Sequence, residues 1–390
     1  MSYAHLVGVG QTACGKFAEA TVASLALAAL DAALADAAAA QPQAGEPQIE
    51  AIFFANALSG LLSGQECVRG QVALRHTRHG GIPVINVENA CASGSSALLL
   101  ARQAILAGSH ETVAVVGAEK MSDPDRSRPL RALAGAADAE LTRELPEGHS
   151  VFMDSYAQRA RRRIDQHGWT ARDIALVAAK NRRHAQANEL AQYRTPLSVE
   201  QVLQSRMIAE PLTLPMCSPI GDGAAALVLS ANPRPGSVAV RASALSATGG
   251  SARGSVAQRA AQLAREQCGL AASEVDVIEV HDATASAELE AYEHLGLAPE
   301  GEGNLLAREG FTSLGGALPI NTGGGLLARG HPVGATGVLQ IVELVEQLRG
   351  RAGARQVQPL PRLALAHNAG GFLEGDNAVA VVTVLERLRS

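Results

Sequence analysis

Four short segments hold the side chains able to do covalent or proton-transfer chemistry. In Val87-Glu-Asn-Ala-Cys-Ala-Ser-Gly-Ser-Ser-Ala97, Cys91 stands between an apolar strand-like run and an apolar helical run. A sulfur near the first turn of a buried helix meets unpaired N–H groups and the positive dipole end, which favour thiolate. Gly94 and its small neighbours leave space for a bulky acyl group. Taken alone, these residues leave a buried structural cysteine equally open. The second segment is Asn321-Thr-Gly-Gly-Gly-Leu-Leu-Ala-Arg-Gly-His-Pro-Val-Gly-Ala-Thr-Gly337. Its glycines suggest phosphate, but no Gly-Lys-Ser/Thr follows, so it is not a Walker loop. His331, held between Gly330 and Pro332, suits a base for a nearby thiol; for a lone histidine, capping a turn is the alternative. The third, Val277-Ile-Glu-Val-His-Asp-Ala-Thr284, ends a strand at His281, where residues of α/β proteins often line sites. The fourth, Leu365-Ala-His-Asn-Ala-Gly-Gly371, runs a strand into His367, Asn368 and two glycines. For His281 or His367 taken singly, a hydrogen-bonded structural role stands first.

The elements that must position these groups alternate between short β-like runs and longer helical ones. Runs at 5–8, 51–54, 83–87, 112–116, 225–229, 238–243, 277–280, 363–366 and 378–384 read as strands. Ala- and Leu-rich helices fall at 21–39, 95–107 and 286–295. Strands with little polar alternation imply sheets covered by helices on both faces, an α/β layered architecture. Gly221-Asp-Gly-Ala-Ala-Ala-Leu-Val echoes Gly375-Asp-Asn-Ala-Val-Ala-Val-Val, which suggests two related halves. The break falls in Asn232-Pro-Arg-Pro-Gly236, giving an N-terminal half over 1–232 and a C-terminal half over 233–390. Residues from about 122 to 218, rich in Arg, Pro, Gln and Asn, read as a loop domain inserted into the first half.

Bulk properties narrow the classes. The 390 residues are 47% hydrophobic and 18% charged, a globular profile. The net charge of −5 argues against nucleic acid as a partner. No basic leader with a cleavage site opens the chain, and no apolar run is read as approaching the roughly 20 residues of a membrane span. Five scattered cysteines without a CxxC pair suggest a reduced, cytoplasmic protein rather than a disulfide or zinc framework.

Together the four segments resemble the thiolase superfamily over almost the whole chain. Gly117-Ala-Glu-Lys-Met-Ser122, Ser205-Arg-Met-Ile-Ala-Glu-Pro-Leu212 and, above all, Gly330-His-Pro-Val-Gly-Ala-Thr-Gly337 carry the likeness. The pairs His281-Asp282 and His367-Asn368 look most like the sterol-carrier-protein-2 type. The resemblance implies a thiolase fold, two similar βαβαβαββ halves in a five-layered αβαβα core. It implies Cys91 as nucleophile, His331 as the group that takes its proton, and His281 with His331 around the thioester oxygen. The backbone N–H groups of Cys91 and of Gly370 or Gly371 would form a second oxyanion site. The implied reaction cleaves or forms 3-oxoacyl-CoA through an acyl-Cys91 intermediate. Coenzyme A serves as co-substrate, with no permanent cofactor and no metal. Met153, Arg182 and Arg183 in the inserted domain are candidates for holding CoA. A homodimer or dimer of dimers through the sheet edge near Cys91 is expected, and a small zinc-binding OB-fold partner is compatible.

The sequence departs from the family in one place. Ordinary thiolases use a second cysteine as acid/base for the C2 carbanion; here Asn368 takes its position, and Ala283 stands where the carrier-protein type has a cysteine. Asn368 cannot exchange a proton at neutral pH, so His281, or less favourably His367, is expected to do this work. Rival readings are a thiolase-like retro-aldolase or other carbon–carbon lyase, and a non-catalytic acyl-CoA or lipid-binding protein. Gly8-Val-Gly-Gln-Thr-Ala13 also fits a dinucleotide GxGxxA, with a helix start that comes too late.

Overall fold

The computed structural model describes residues 3–142, 150–249 and 253–388, so 143–149 of the expected insertion lie outside the described residues. Each of the nine expected strand runs forms a strand, and the nine make one sheet. They are β1 (Ala4–Gln11), β2 (Ala51–Ala55), β3 (Val84–Val87), β4 (Thr112–Glu119), β5 (Gly223–Ser230), β6 (Val238–Ala247), β7 (Val277–Glu279), β8 (Leu363–Gly370) and β9 (Val379–Arg387). The order is β3-β2-β4-β5-β1-β6-β9-β8-β7. A short hairpin, Met207–Ala209 with Leu212–Thr213, was not legible in the sequence.

The sheet repeats itself about the β1–β6 junction. In the first half β2 and β4 are parallel, β4 and β5 antiparallel, β5 and β1 antiparallel. In the second half β7 and β8, β8 and β9, and β9 and β6 follow the same sequence of pairings. The two echoed segments thus become β5 and β9, equivalent strands. The equivalent of β3 in the second half shrinks to the single bridge Ile278–Ile320, which leaves nine strands rather than ten.

Helices α1 (Val22–Ala40), α2 (Ser93–Leu106), α3 (Val151–His167), α4 (Ala171–Ala185), α5 (Val256–Cys268), α6 (Ala285–His294) and α7 (Thr336–Leu348) sort into layers. Helix α1 covers the outer face of the first half. Helices α2 and α7 lie side by side in the middle, packed between the two halves of the sheet. Helices α5 and α6 cover the second half, with α3 and α4 against them. All eight residues of β5 are buried, which explains the absence of polar alternation.

Two expectations change here. Helix α1 is 19 residues long and apolar enough, by length and composition, to cross a membrane. It is instead a core helix: Thr21 caps it, and Leu25, Leu30 and Leu34 are buried against the sheet. The GxGxxA glycines are strand residues. A Cβ on Gly8 or Gly10 would fall 2.2 or 2.4 Å from backbone atoms of Ala33, so they let β1 and α1 touch rather than cradle a phosphate.

Candidate active site

Both central helices begin at the site. The chain leaves β3, and Ala90 turns through the left-handed region (φ 49°), a strained conformation for a residue with a Cβ. Hydrogen bonds hold the turn: Ser93 Oγ accepts from Asn89 N (2.9 Å) and donates to Ala90 O (2.6 Å), and Asn89 Nδ2 donates to Ser96 Oγ (2.9 Å). Cys91 lies in the 3-10 turn Ala90–Ala92 that opens α2. His331 occupies the matching place before α7, ahead of the 3-10 turn Val333–Ala335.

Buried polar groups fix this second segment. Asp282 accepts from the backbone N–H of Leu326 (2.7 Å) and Leu327 (3.3 Å) and from Asn181 Nδ2 (2.8 Å) on α4. Gly325 has φ 58°, and a Cβ there would sit 2.2 Å from Asp282 Oδ2. The glycine run therefore admits a buried carboxylate, and the loop is enclosed by protein rather than open to a phosphate. Glu119 does the same for the far side of His331. It accepts from the N–H groups of Ala57, Leu58 and Gly334, binding the β2 loop to the His331 loop.

One donor atom from each of Cys91, His281 and His331 lies within 4.8 Å of the others, and the two rings meet edge-on at 5.3 Å between centroids. Their partners set opposite tautomers. Thr336 Oγ1 donates its single proton to Pro332 O (3.0 Å), so it accepts from His331 Nδ1–H (2.7 Å), and His331 Nε2 is left with a lone pair. Asn368 Oδ1 is taken by Ser95 Oγ–H (3.0 Å), so its Nδ2 donates to His281 Nδ1 (3.0 Å), and His281 Nε2 carries the proton. At Nε2, His331 is thus a hydrogen-bond acceptor and His281 a donor. The same donor types could suit zinc, but a metal-bound histidine donates its other N–H, whereas His281 Nδ1 accepts.

Electrostatics correct the expectation of a ready thiolate. Burial pushes the Cys91 thiol up to about 12, and the Glu119 carboxylate adds to this; the N–H groups of Gly371 and Cys91 directed at the sulfur only partly offset them. Burial, then Arg329, lowers His331 to about 3. Burial, then His331 and His367, holds His281 well below the imidazole range. The resting pair is therefore a neutral thiol and a neutral imidazole.

A cavity of about 670 Å³ opens on the three groups. Met153, Gly370 and Gly371 line it. Asn368 is fully buried behind His281 and does not line it. His367 occupies the next position of β8, on the opposite face, with both ring nitrogens buried and unpartnered. Arg182 and Arg183 are absent from the wall: Arg182 stacks on Tyr193 at 4.2 Å, and Arg183 is exposed. Among the described residues, the cations at the wall are Lys16, Arg126 and Arg206, all exposed. Their spread over three distant segments gave no signal in the sequence. Tyr156 and Cys217, both buried, also line the cavity and were missed for the same reason.

Two family models match the chain: "Thiolase, N-terminal domain" over residues 4–232 and "Thiolase C-terminal domain-like" over 237–387. The chain belongs to the thiolase family. An acetyl-CoA acetyltransferase from Methanothermobacter thermautotrophicus is 38% identical over 340 residues, covering 83% of this chain and 86% of that one. The benzoylsuccinyl-CoA thiolase subunit BbsB of Thauera aromatica is 32% identical, covering 84% and 86%. Sterol carrier protein 2 of Bos taurus is 37% identical over 77% of this chain, which matches only 59% of that protein's length. Among solved structures, the Ltp2-ChsH2(DUF35) aldolase superposes with a TM-score of 0.79 at 23% identity, over 100% and 98% of the two chains, a likeness of fold. The chain is a thiolase-type acyltransferase, and the expected likeness to the carrier-protein type holds.

Proposed function

We propose that Cys91 carries the acyl group in thiolysis or synthesis of a 3-oxoacyl-CoA. The carrying observation is the convergence of Cys91, His281 and His331 within 4.8 Å at the floor of one cavity. His331 Nε2 takes the thiol proton as the sulfur attacks C3, so no free thiolate is needed beforehand. The C2–C3 bond breaks, the acyl group stays on sulfur, and the electron pair enters the thioester enolate. His281 Nε2–H donates to that enolate oxygen. The N–H groups of Cys91 and Gly371 face the C3 oxygen once the sulfur has become acylated. Free CoA then removes the acyl group.

CoA phosphates are assigned to Lys16, Arg126 and Arg206 in place of Arg182 and Arg183. Replacing each of the three by Ala raises KM for CoA several-fold and leaves kcat nearly unchanged. The unpaired edge of β3, with Ile85 40% exposed, is assigned to a homodimer. A small OB-fold partner is a further assignment, in keeping with the two-component name of the aldolase neighbour. The test is incubation with short, long, branched and aryl 3-oxoacyl-CoAs, with and without CoA. An acyl mass on Cys91, absent in Cys91→Ala, is expected. A carbon–carbon lyase would split substrate and leave Cys91 unmodified, and a binding protein would leave both unchanged.

A further inference from the structure

The reaction needs a second proton carrier, and resting on the reading above we propose that Cys217 is that catalytic acid/base, replacing the family's second cysteine from a different segment of the chain. The chemistry states the requirement. When C2–C3 breaks, C2 holds an electron pair that must receive a proton, and the incoming CoA thiol must lose one. His281 cannot supply it. Its only proton sits on Nε2, because Nδ1 accepts from Asn368. Giving up that proton would leave an imidazolate. His367 lies on the other face of β8 and does not line the cavity.

Among the described residues, the buried titratable groups on the wall are then Cys91, Tyr156, Cys217, His281 and His331. Cys91 is acylated at this stage and His331 holds its proton. Between the remaining two, burial pushes the Cys217 thiol up to about 12 and the Tyr156 phenol higher still, so the thiol keeps the lead it has over a phenol in water. Position favours Cys217 as well. Cys217 bridges Thr284, and Ser218 N donates to Ala283 O (3.0 Å). The segment carrying Cys217 thus lies directly beside the one carrying His281, and both line the cavity. Ala283, where the carrier-protein type has its cysteine, is the residue this ladder brings next to it. The Cys217 thiol is committed only to a weak 3.6 Å contact with Thr213 O.

In balanced form, Cys217 Sγ–H gives its proton to C2 and becomes thiolate. The thiolate regains a proton from protonated His331, and neutral His331 then takes the proton of the CoA thiol as that sulfur attacks acyl-Cys91 and releases Cys91. His331 returns its proton to Cys91.

Hydrogen–deuterium exchange separates this role from the rest of the cycle. Acetyl-CoA in D₂O exchanges its C2 hydrogens only if the second acid/base works, whereas acetylation of Cys91 by the same compound needs only Cys91 and His331. In Cys217→Ala and Cys217→Ser, exchange falls by about 100-fold or more, while acetylation of Cys91, read by mass spectrometry, stays within threefold. Exchange within threefold of wild type overturns the proposal. So does acetylation falling in step with exchange, which would mark Cys217 as structural. If wild-type Cys91 is never acetylated, the function proposed above falls, and this role falls with it.

Discussion

The proton inventory of the two histidines is decided by residues that never meet substrate. Thr336 turns His331 into an acceptor at Nε2, and Asn368 turns His281 into a donor at Nε2. Replacing Asn368 by Leu keeps the volume and removes the hydrogen bond, so His281 no longer presents its proton reliably. An oxyanion donor of this kind contributes about 100- to 1,000-fold in kcat. Asn368→Leu is expected to lose at least tenfold in kcat with a smaller change in KM; a kcat within twofold of wild type would show that the tautomer is set elsewhere. Cys91 gives a second check. With the thiol pushed up to about 12 and His331 down to about 3, the proton stays on sulfur until substrate arrives. Alkylation of Cys91 by iodoacetamide should therefore rise steadily with pH and show no plateau below pH 10. A plateau near neutrality would reveal a preformed thiolate–imidazolium pair.

At the scale of elements, the site depends on buried carboxylates that hold loops rather than on the loops themselves. Asp282 satisfies two backbone N–H groups at the segment leading to His331 and links it to α4 through Asn181. Asp282→Ala leaves these donors buried without a partner, at a cost of about 1–3 kcal/mol each. Gly325→Ala drives a methyl group into the same carboxylate in a left-handed backbone. Both variants are expected to lower the melting temperature by several degrees and to lower kcat, while Gly45→Ala, at a positive φ with nothing within 4 Å, moves stability alone. The strands were legible because nine apolar runs, bounded by turns, have no other way to hide both faces. The site was legible where one segment carried its own signal, as at Cys91 and His331. It was not legible where distant segments meet: Cys217 beside Ala283, or Lys16 with Arg126 and Arg206. The Gly-rich loop misled for a physical reason, since close approach to a buried carboxylate and close approach to a phosphate demand the same residue.

In the whole molecule, the repeat explains why two groups from opposite halves of the chain meet. Related halves place α2 and α7 side by side in the middle layer, and each helix starts where its half delivers one of the converging groups, Cys91 or His331. Enclosing that junction buries imidazoles, and this makes stability depend on pH. His331 and His367 are lowered to about 3 and His184 to about 4, in each case first by burial. The unfolded chain binds protons at these sites near 6.5, while the folded protein does not until far lower pH. Each therefore contributes stability that is complete above about pH 6.5 and is lost as pH falls toward its folded value. At pH 5 the loss is about 2 kcal/mol for each histidine. Glu279, raised to about 7 by burial, acts in the opposite sense and offsets part of the total. His367 isolates one share, because both its nitrogens are unpartnered and it lies outside the cavity. His367→Phe is expected to equal or exceed wild type in stability at pH 8 and to gain about 2 kcal/mol relative to it at pH 5, with thiolysis unchanged. Urea denaturation at the two pH values measures this. Parallel pH dependence in the two proteins would mean that His367 finds a proton partner in the folded state.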